Sequence, residues 1–421
     1  MAFLINTQTK HWKPSETLDV VKQIALVENE TGNKIIRLTA GQPHFSPSED
    51  MLKALSEGGK FNKYEPVSGI QKLREAIAEK FSAERNAGYS SENVLVSVGG
   101  KEALYHVFGA LTELGDIYII PVPFWVSIPT QIESFGGICV FAKTNAELKL
   151  TKETLMEAIS VARVTAKTNG KGKVVALYMN SPCNPSGAEY TLDELKWIAE
   201  ILKAEGINVI SDEVYSSITY SGKTAPSIAS IEDMHDKAII VSSISKEFCC
   251  PSYRVGWAIG PKEVIAGMDK RQSDISSGTS VPAQYSAFVG IQSKNAKLHT
   301  ENMVKYYKEN LDYFSSALLG IVLSDGKRMF AIGKLPEGAF YLFPKVSGIF
   351  GYKYQFKGKI CEIKSSSDAQ LFFMRFGVAG IKGSAFGMDE YIRFSYAIDK
   401  KSLEDAVGRL KHAGKELEKC V

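Results

Sequence analysis

Apolar and polar positions follow two rhythms along this chain. Ile70, Leu73, Ile77 and Phe81 recur at helical spacing in a segment rich in Glu, Lys and Ala, which predicts a helix. Residues 93–98 form a short β-prone run, followed by Gly99-Gly100 and a helical pattern over about 101–113. Further short buried strands are predicted at 117–121, 137–141, 174–179, 207–211, 238–242 and 255–259, with an amphipathic helix at 192–202 between two of them. Strands alternating with helices predict an α/β fold with a mostly parallel sheet sandwiched by helices. Near residue 300 the texture changes. A long helix is expected over 299–318, strands at 340–344 and 391–396, and a Lys/Glu-rich helix from 402 to about 418. The expected organisation is a large domain over 46–299 and a small α+β domain over 300–421. Residues 1–45 would form an arm and part of the small domain. The segment 347–367 reads as an irregular insertion.

Composition narrows the function classes. Fifty Lys+Arg against 47 Asp+Glu leave a formal charge of +3, too little for a nucleic-acid binder acting through bulk charge. Six cysteines without a C-x-x-C pair predict a reducing compartment and no zinc site or other metal site. The first six residues turn polar too early for a signal region. The uncharged stretches 117–132 and 275–293 are broken by prolines or by Ser, Thr and Gln, so no membrane span is expected. A cytoplasmic enzyme fits this composition.

Five features fall at the ends of predicted strands, where open parallel sheets place their ligands. Gly99-Gly100-Lys101 sits at a strand-to-helix turn, where backbone N–H groups and a helix N-terminus suit a phosphate. Asn180-Ser181-Pro182-Cys183-Asn184-Pro185-Ser186-Gly187 is a rigid turn that would fix the Asn184 amide. Asp212 ends a buried run and needs a partner such as a cationic ring nitrogen, with Tyr215 three residues on. Lys246 follows another apolar strand in Ser243-Ile244-Ser245-Lys246, and burial would push its amine toward the neutral, nucleophilic form. Ser243, Ser245 and Arg254 suit a phosphate. Arg393, alternating with apolar neighbours in Tyr391-Ile392-Arg393-Phe394, would point inward and require an anion such as a carboxylate.

In this order and spacing the segments resemble the class I aminotransferases, the fold-type I enzymes that use pyridoxal 5'-phosphate. Leu38-Thr39-Ala40-Gly41-Gln42-Pro43, Lys63-Tyr64-Glu65-Pro66 and Pro123-Phe124-Trp125-Val126-Ser127 match further motifs of that family, and the likeness runs from about Lys13 to Ile398. The pattern is similar above all to the bacterial and plastid type of aspartate aminotransferase, a subgroup that includes prephenate aminotransferases. The resemblance implies that Lys246 is the Schiff-base lysine and proton shuttle. It implies that Asp212 pairs with the pyridine nitrogen, and that Asn184 and Tyr215 hydrogen-bond the ring's phenolic oxygen. Trp125 would stack on the ring, with Gly100, the Lys101 backbone, Ser243 and Arg254 on the phosphate. Tyr64 would reach in from the other subunit of a homodimer. Arg393 would clamp the substrate α-carboxylate with help from Asn184 and the Gly41 backbone. Lys101, with Ser15 and Thr17, would hold the distal carboxylate of aspartate.

The implied reaction is a ping-pong transamination between an L-amino acid, best aspartate, and a 2-oxo acid, best 2-oxoglutarate, by way of pyridoxamine phosphate. A broad aromatic, alanine or prephenate aminotransferase is the main alternative, and a pyridoxal-phosphate lyase a further one. Departures from the family pattern are Gln42, His44, Cys183, Ser186 and Ser252. The animal-type distal arginine has no counterpart, since the region reads Ser276-Ser277-Gly278.

Overall fold

The computed structural model describes residues 4, 5, 9, 12, 16–170 and 172–419, apart from the side chains of Thr17, Leu18 and Lys419. Seven strands form the main sheet: β1 (Val94–Val98), β2 (Ile117–Pro121), β3 (Ile138–Ala142), β4 (Val174–Asn180), β5 (Asn208–Asp212), β6 (Ala238–Ser243) and β7 (Val255–Ile259). Their spatial order is β1-β7-β6-β5-β4-β2-β3, and only β7 runs antiparallel to its neighbours. Successive side chains of each strand enter different cores. Val94, Val96, Ile117, Ile119, Leu177 and Val209 face one helical layer. Leu95, Tyr118, Ile120, Tyr178 and Ile210 face the other. Burial on both faces explains why these strands read as near-continuous apolar runs.

The flanking helices use ordinary end chemistry. The helix Leu192–Glu205 starts at Thr191, whose hydroxyl accepts from the Glu194 N–H, and ends at the left-handed Gly206. The long helix Lys294–Leu319 begins earlier than the apolar rhythm predicts because the Ser293 side chain accepts from the Ala296 N–H. A further core gathers Leu38, the buried face of this helix (Met303, Tyr307, Leu311 and Phe314), Phe340–Leu342, Phe372, Phe394 and Leu403. Ile36–Arg37 pairs in parallel with Val378–Ala379, which ties the early chain to the late chain.

Two expectations need correction. The segment 347–367 is not irregular: Tyr352–Phe356 and Lys359–Glu362 form an antiparallel hairpin. Tyr352 and Tyr354 are buried, while Lys353, Gln355 and the partner strand are more open, so the period of two was present in the sequence. Its two-residue turn, Lys357-Gly358, has positive φ at both positions, 50° and 76°; lysine in place of the usual Asn or Asp disguised it. The last helix spans Lys400–Lys415, capped by Asp399, and Glu418–Lys419 leaves it to pair with Tyr352–Lys353.

Candidate active site

Sheet register brings distant motifs together. Asn180 at the end of β4 lies opposite Asp212 at the end of β5, and Asp212 lies opposite Val241 in β6. Ser243 ends β6 opposite Gly256, and β7 carries the register on to Val98, the last residue of β1. These strand ends border one cavity of about 360 Å³. Its walls include Gly41, Gly100, Lys101, Trp125, Asn184, Asp212, Tyr215, Ser243, Lys246, Arg254 and Arg393. Eleven residues singled out from separate parts of the sequence thus converge on one space.

Asp212 is 5% exposed. Its Oδ2 accepts from the Tyr178 hydroxyl at 3.0 Å and its Oδ1 from the Val214 N–H at 3.3 Å. Burial pushes the carboxyl up to about 6, against the pull of those two hydrogen bonds. Such a group is poised to take a cation. Lys246 sits in the one-turn helix Ile244–Glu247 directly after β6, and its Nζ donates to the Gly41 carbonyl. Burial lowers the amine to about 8; the Arg393 and Arg254 charges act the same way and Asp212 opposes them. A useful neutral fraction therefore exists near neutral pH, as a nucleophile or general base requires.

Arg393 is 4% exposed. Its Nη1 donates to Asn184 Oδ1 at 2.9 Å and its Nη2 to the Thr39 carbonyl at 2.8 Å, while Nε has no partner among the described residues. A buried guanidinium with an unused donor and no carboxylate beside it is a receptor for an anion. Asn184 is placed by Asn180, whose Oδ1 accepts from the Asn184 N–H at 2.7 Å and whose Nδ2 donates to the Asp212 carbonyl at 2.9 Å.

The opposite wall is a cradle. The helix Gly99–Leu111 starts where β1 stops, and Arg254 donates to the Val98 and Pro251 carbonyls. A Cβ at Gly99, where φ is +80°, would come within 2.5 Å of Arg254 Nη2. One at Gly256 would come within 2.3 Å of the Gly100 nitrogen. Both glycines are therefore required for the cation and the helix N-terminus to share this corner. Lys101 stands on the exposed rim with Nζ 5.0 Å from the centre of the Trp125 ring. Desolvation against that wall, and next the Arg254 charge, lower its pKa.

Tyr64 does not reach this cavity; it is 98% exposed. Ser15 lies outside the described residues, as does the side chain of Thr17. Sequence reasoning missed Tyr178 and Tyr341. Tyr341 lines the cavity, and its hydroxyl lies 2.8 Å from that of Tyr215. Both missed tyrosines sit inside apolar runs, where a tyrosine reads as core; the signal was that a buried hydroxyl must find a partner.

Residues 33–410 match the family described as Aminotransferase class I and II. The chain belongs to that family. It is 36% identical to a probable aspartate/prephenate aminotransferase of Rickettsia bellii, over 97% of this chain and 98% of that protein. The fold of this aminotransferase matches the aspartate aminotransferase of Rhizobium meliloti with a TM-score of 0.89 at 28% identity, covering 99% of this chain and all of the other. The aspartate aminotransferase of Thermus thermophilus, solved with maleate, matches with a TM-score of 0.86 at 27% identity, over 98% and 100% of the two chains. An α/β aminotransferase fold of type I is thus established, with the cavity at its strand ends. No helix among the described residues is long and apolar enough to cross a membrane.

Proposed function

We propose that this enzyme moves the amino group of L-aspartate to 2-oxoglutarate, with pyridoxal 5'-phosphate held in the cavity at the strand ends. One observation carries the reading: a lysine lowered to about 8, a buried carboxyl raised to about 6 and an arginine with an unpartnered donor share one 360 Å³ space. The site fits the cofactor. Asp212 would face the pyridine nitrogen, Gly100, Lys101 N–H, Ser243 and Arg254 would hold the phosphate, Trp125 would cover a ring face, and Asn184 and Tyr215 would bind the phenolic oxygen. When bound, the cofactor supplies an electron sink for negative charge at the substrate Cα.

The protein's own groups do the rest. Arg393 grips the α-carboxylate, oriented by Asn184 and Thr39. That grip fixes which bond at Cα faces Lys246, whose Nζ takes the Cα proton. Lys101, on the rim beside Trp125, would meet a distal carboxylate, with Ser15 and Thr17 as the helpers that the family resemblance implies. The maleate bound to the Thermus relative is a dicarboxylate, which supports that substrate class. The Rickettsia relative's name supports a second acceptor, prephenate, at the same site. We further propose a homodimer in which each Tyr64 serves the other subunit's phosphate site; its full exposure in the single chain supports this.

A donor panel with 2-oxoglutarate, pyruvate and prephenate tests the reading. Aspartate with 2-oxoglutarate should give the highest kcat/KM. Lys101→Ala should raise KM for aspartate about tenfold or more while leaving alanine and phenylalanine within about twofold, as expected for loss of one charge-assisted contact. Equal effects on all three would remove Lys101 from side-chain recognition.

A further inference from the structure

We propose that Tyr341 is a positioning residue that joins the carboxylate-binding arginine to the Tyr215 hydroxyl, so that one side chain holds both halves of the site. The proposal rests on the roles proposed above for Tyr215, Lys246 and Arg393. Tyr341 lies in the two-residue strand Tyr341–Leu342, paired with Phe394–Ser395 next to Arg393, and is fully buried. The Arg393 guanidinium carbon lies over its ring, 4.4 Å from the ring centre. Its hydroxyl lies 2.8 Å from the Tyr215 hydroxyl, and among the described residues neither of these two hydroxyls has another hydrogen-bonding side chain. A Cβ on Gly41 would come within 3.3 Å of the same oxygen, so Tyr341 also abuts the loop whose carbonyl accepts from Lys246.

A purely packing residue here would be phenylalanine. A buried hydroxyl is costly unless bonded, and the partner this one finds is a residue of the site. A hydroxyl gives one proton and accepts through its lone pairs. For Tyr215 to donate into the cavity, its oxygen must be the acceptor in the pair, which makes Tyr341 the donor. Donation from Tyr341 polarises the Tyr215 hydroxyl and strengthens it as a donor toward the cavity. The ring acts separately, as the floor on which the guanidinium lies while Asn184 and Thr39 fix its edge.

Two substitutions in the full-length, cofactor-loaded enzyme separate the hydroxyl from the ring. Tyr341→Phe keeps the floor and removes the donor. A weaker Tyr215 donor stabilises the cofactor's ring oxygen less, so the pH midpoint of the visible absorbance should rise by about 0.5 unit, with kcat down roughly threefold to tenfold and maleate affinity within about twofold of wild type. Tyr341→Leu removes the floor too, and maleate, read by calorimetry, should bind about tenfold more weakly or worse. A Tyr341→Phe midpoint within about 0.1 unit of wild type with unchanged kcat would overturn the hydroxyl link. Unchanged maleate affinity in a folded Tyr341→Leu, or a maleate loss in Tyr341→Phe as large as the loss of turnover, would overturn the division of labour. A wild-type enzyme with no visible absorbance at any pH would instead overturn the cofactor reading beneath it.

Discussion

At the scale of single residues, two buried carboxylates side by side are handled in opposite ways. Glu213 is neutralised in place: Arg85 Nε and Nη2 donate to its Oε2 at 3.2 and 2.5 Å, while the Ser211 and Ser227 hydroxyls donate to Oε1. Asp212 has hydrogen bonds but no such ion pair, and burial leaves it raised to about 6. The sign of the resulting pH effect is fixed. A folded-state pKa above the ordinary 3.8 means that the cofactor-free fold holds the proton more tightly than the unfolded chain. That stabilisation is present below about pH 4 and lost as pH rises through about 6, an effect of about 3 kcal/mol. Urea midpoints of the cofactor-free protein should fall across this window, and Asp212→Asn should flatten the fall. A rise with pH over the same window would contradict the burial argument. For Glu213 the prediction concerns its partner. Arg85→Leu strands a charge that is 1% exposed and should cost about 3–5 kcal/mol. The double change Arg85→Leu/Glu213→Leu should recover most of that; additive losses in urea unfolding would show that the pair is not coupled.

At the scale of elements, the glycine corner is where sequence and structure meet most tightly. Gly256 in β7 permits the N-terminus of the helix Gly99–Leu111 to lie against the sheet, because a Cβ there would strike the Gly100 nitrogen. Gly256→Ala should therefore weaken cofactor binding by about tenfold or more and cost upwards of about 1 kcal/mol of stability, read by equilibrium dialysis and thermal unfolding. Unchanged affinity would mean that the helix N-terminus takes no part in the cradle. The strands leading to the site were legible because each is an apolar run buried on both faces and cut off by its functional motif; the bounds of β2 and β7 are those expected, β4 and β6 run one residue further, and β5 is shifted one residue on. The hairpin over 352–362 was not legible, since its turn uses Lys-Gly and its outer strand is open to solvent. The Tyr341 contact was not legible for a different reason. Its partner lies 126 residues away, and no local period reports a contact at that distance. The long helix was found but started late, because Ser293 is a cap followed by polar residues that carry no apolar rhythm.

At the scale of the whole molecule, we propose that the sheet with its two helical layers and the later core are two domains, divided near residues 45 and 299. The cavity lies where they meet: Asp212 and Lys246 come from the sheet, and Tyr341 and Arg393 from the later segment. Tyr64 is the one phosphate-site candidate within the described residues that a single chain does not deliver, being 98% exposed and outside its own cavity. If two copies exchange this tyrosine, the two defects Tyr64→Ala and Lys246→Ala must complement each other. In a mixed dimer one site combines the wild-type Lys246 of one chain with the wild-type Tyr64 of the other, and the second site carries both lesions. Random re-assortment of equal amounts gives half mixed dimers, so the mixture should regain about a quarter of the wild-type sites, against none for Lys246→Ala alone and weakened phosphate binding for Tyr64→Ala alone. The measurement is turnover at limiting cofactor after unfolding and refolding the two variants together, compared with the sum of each refolded separately. Activity equal to that sum would place Tyr64 outside the partner's site, and the case for a shared active site would then have to rest on other residues of the interface.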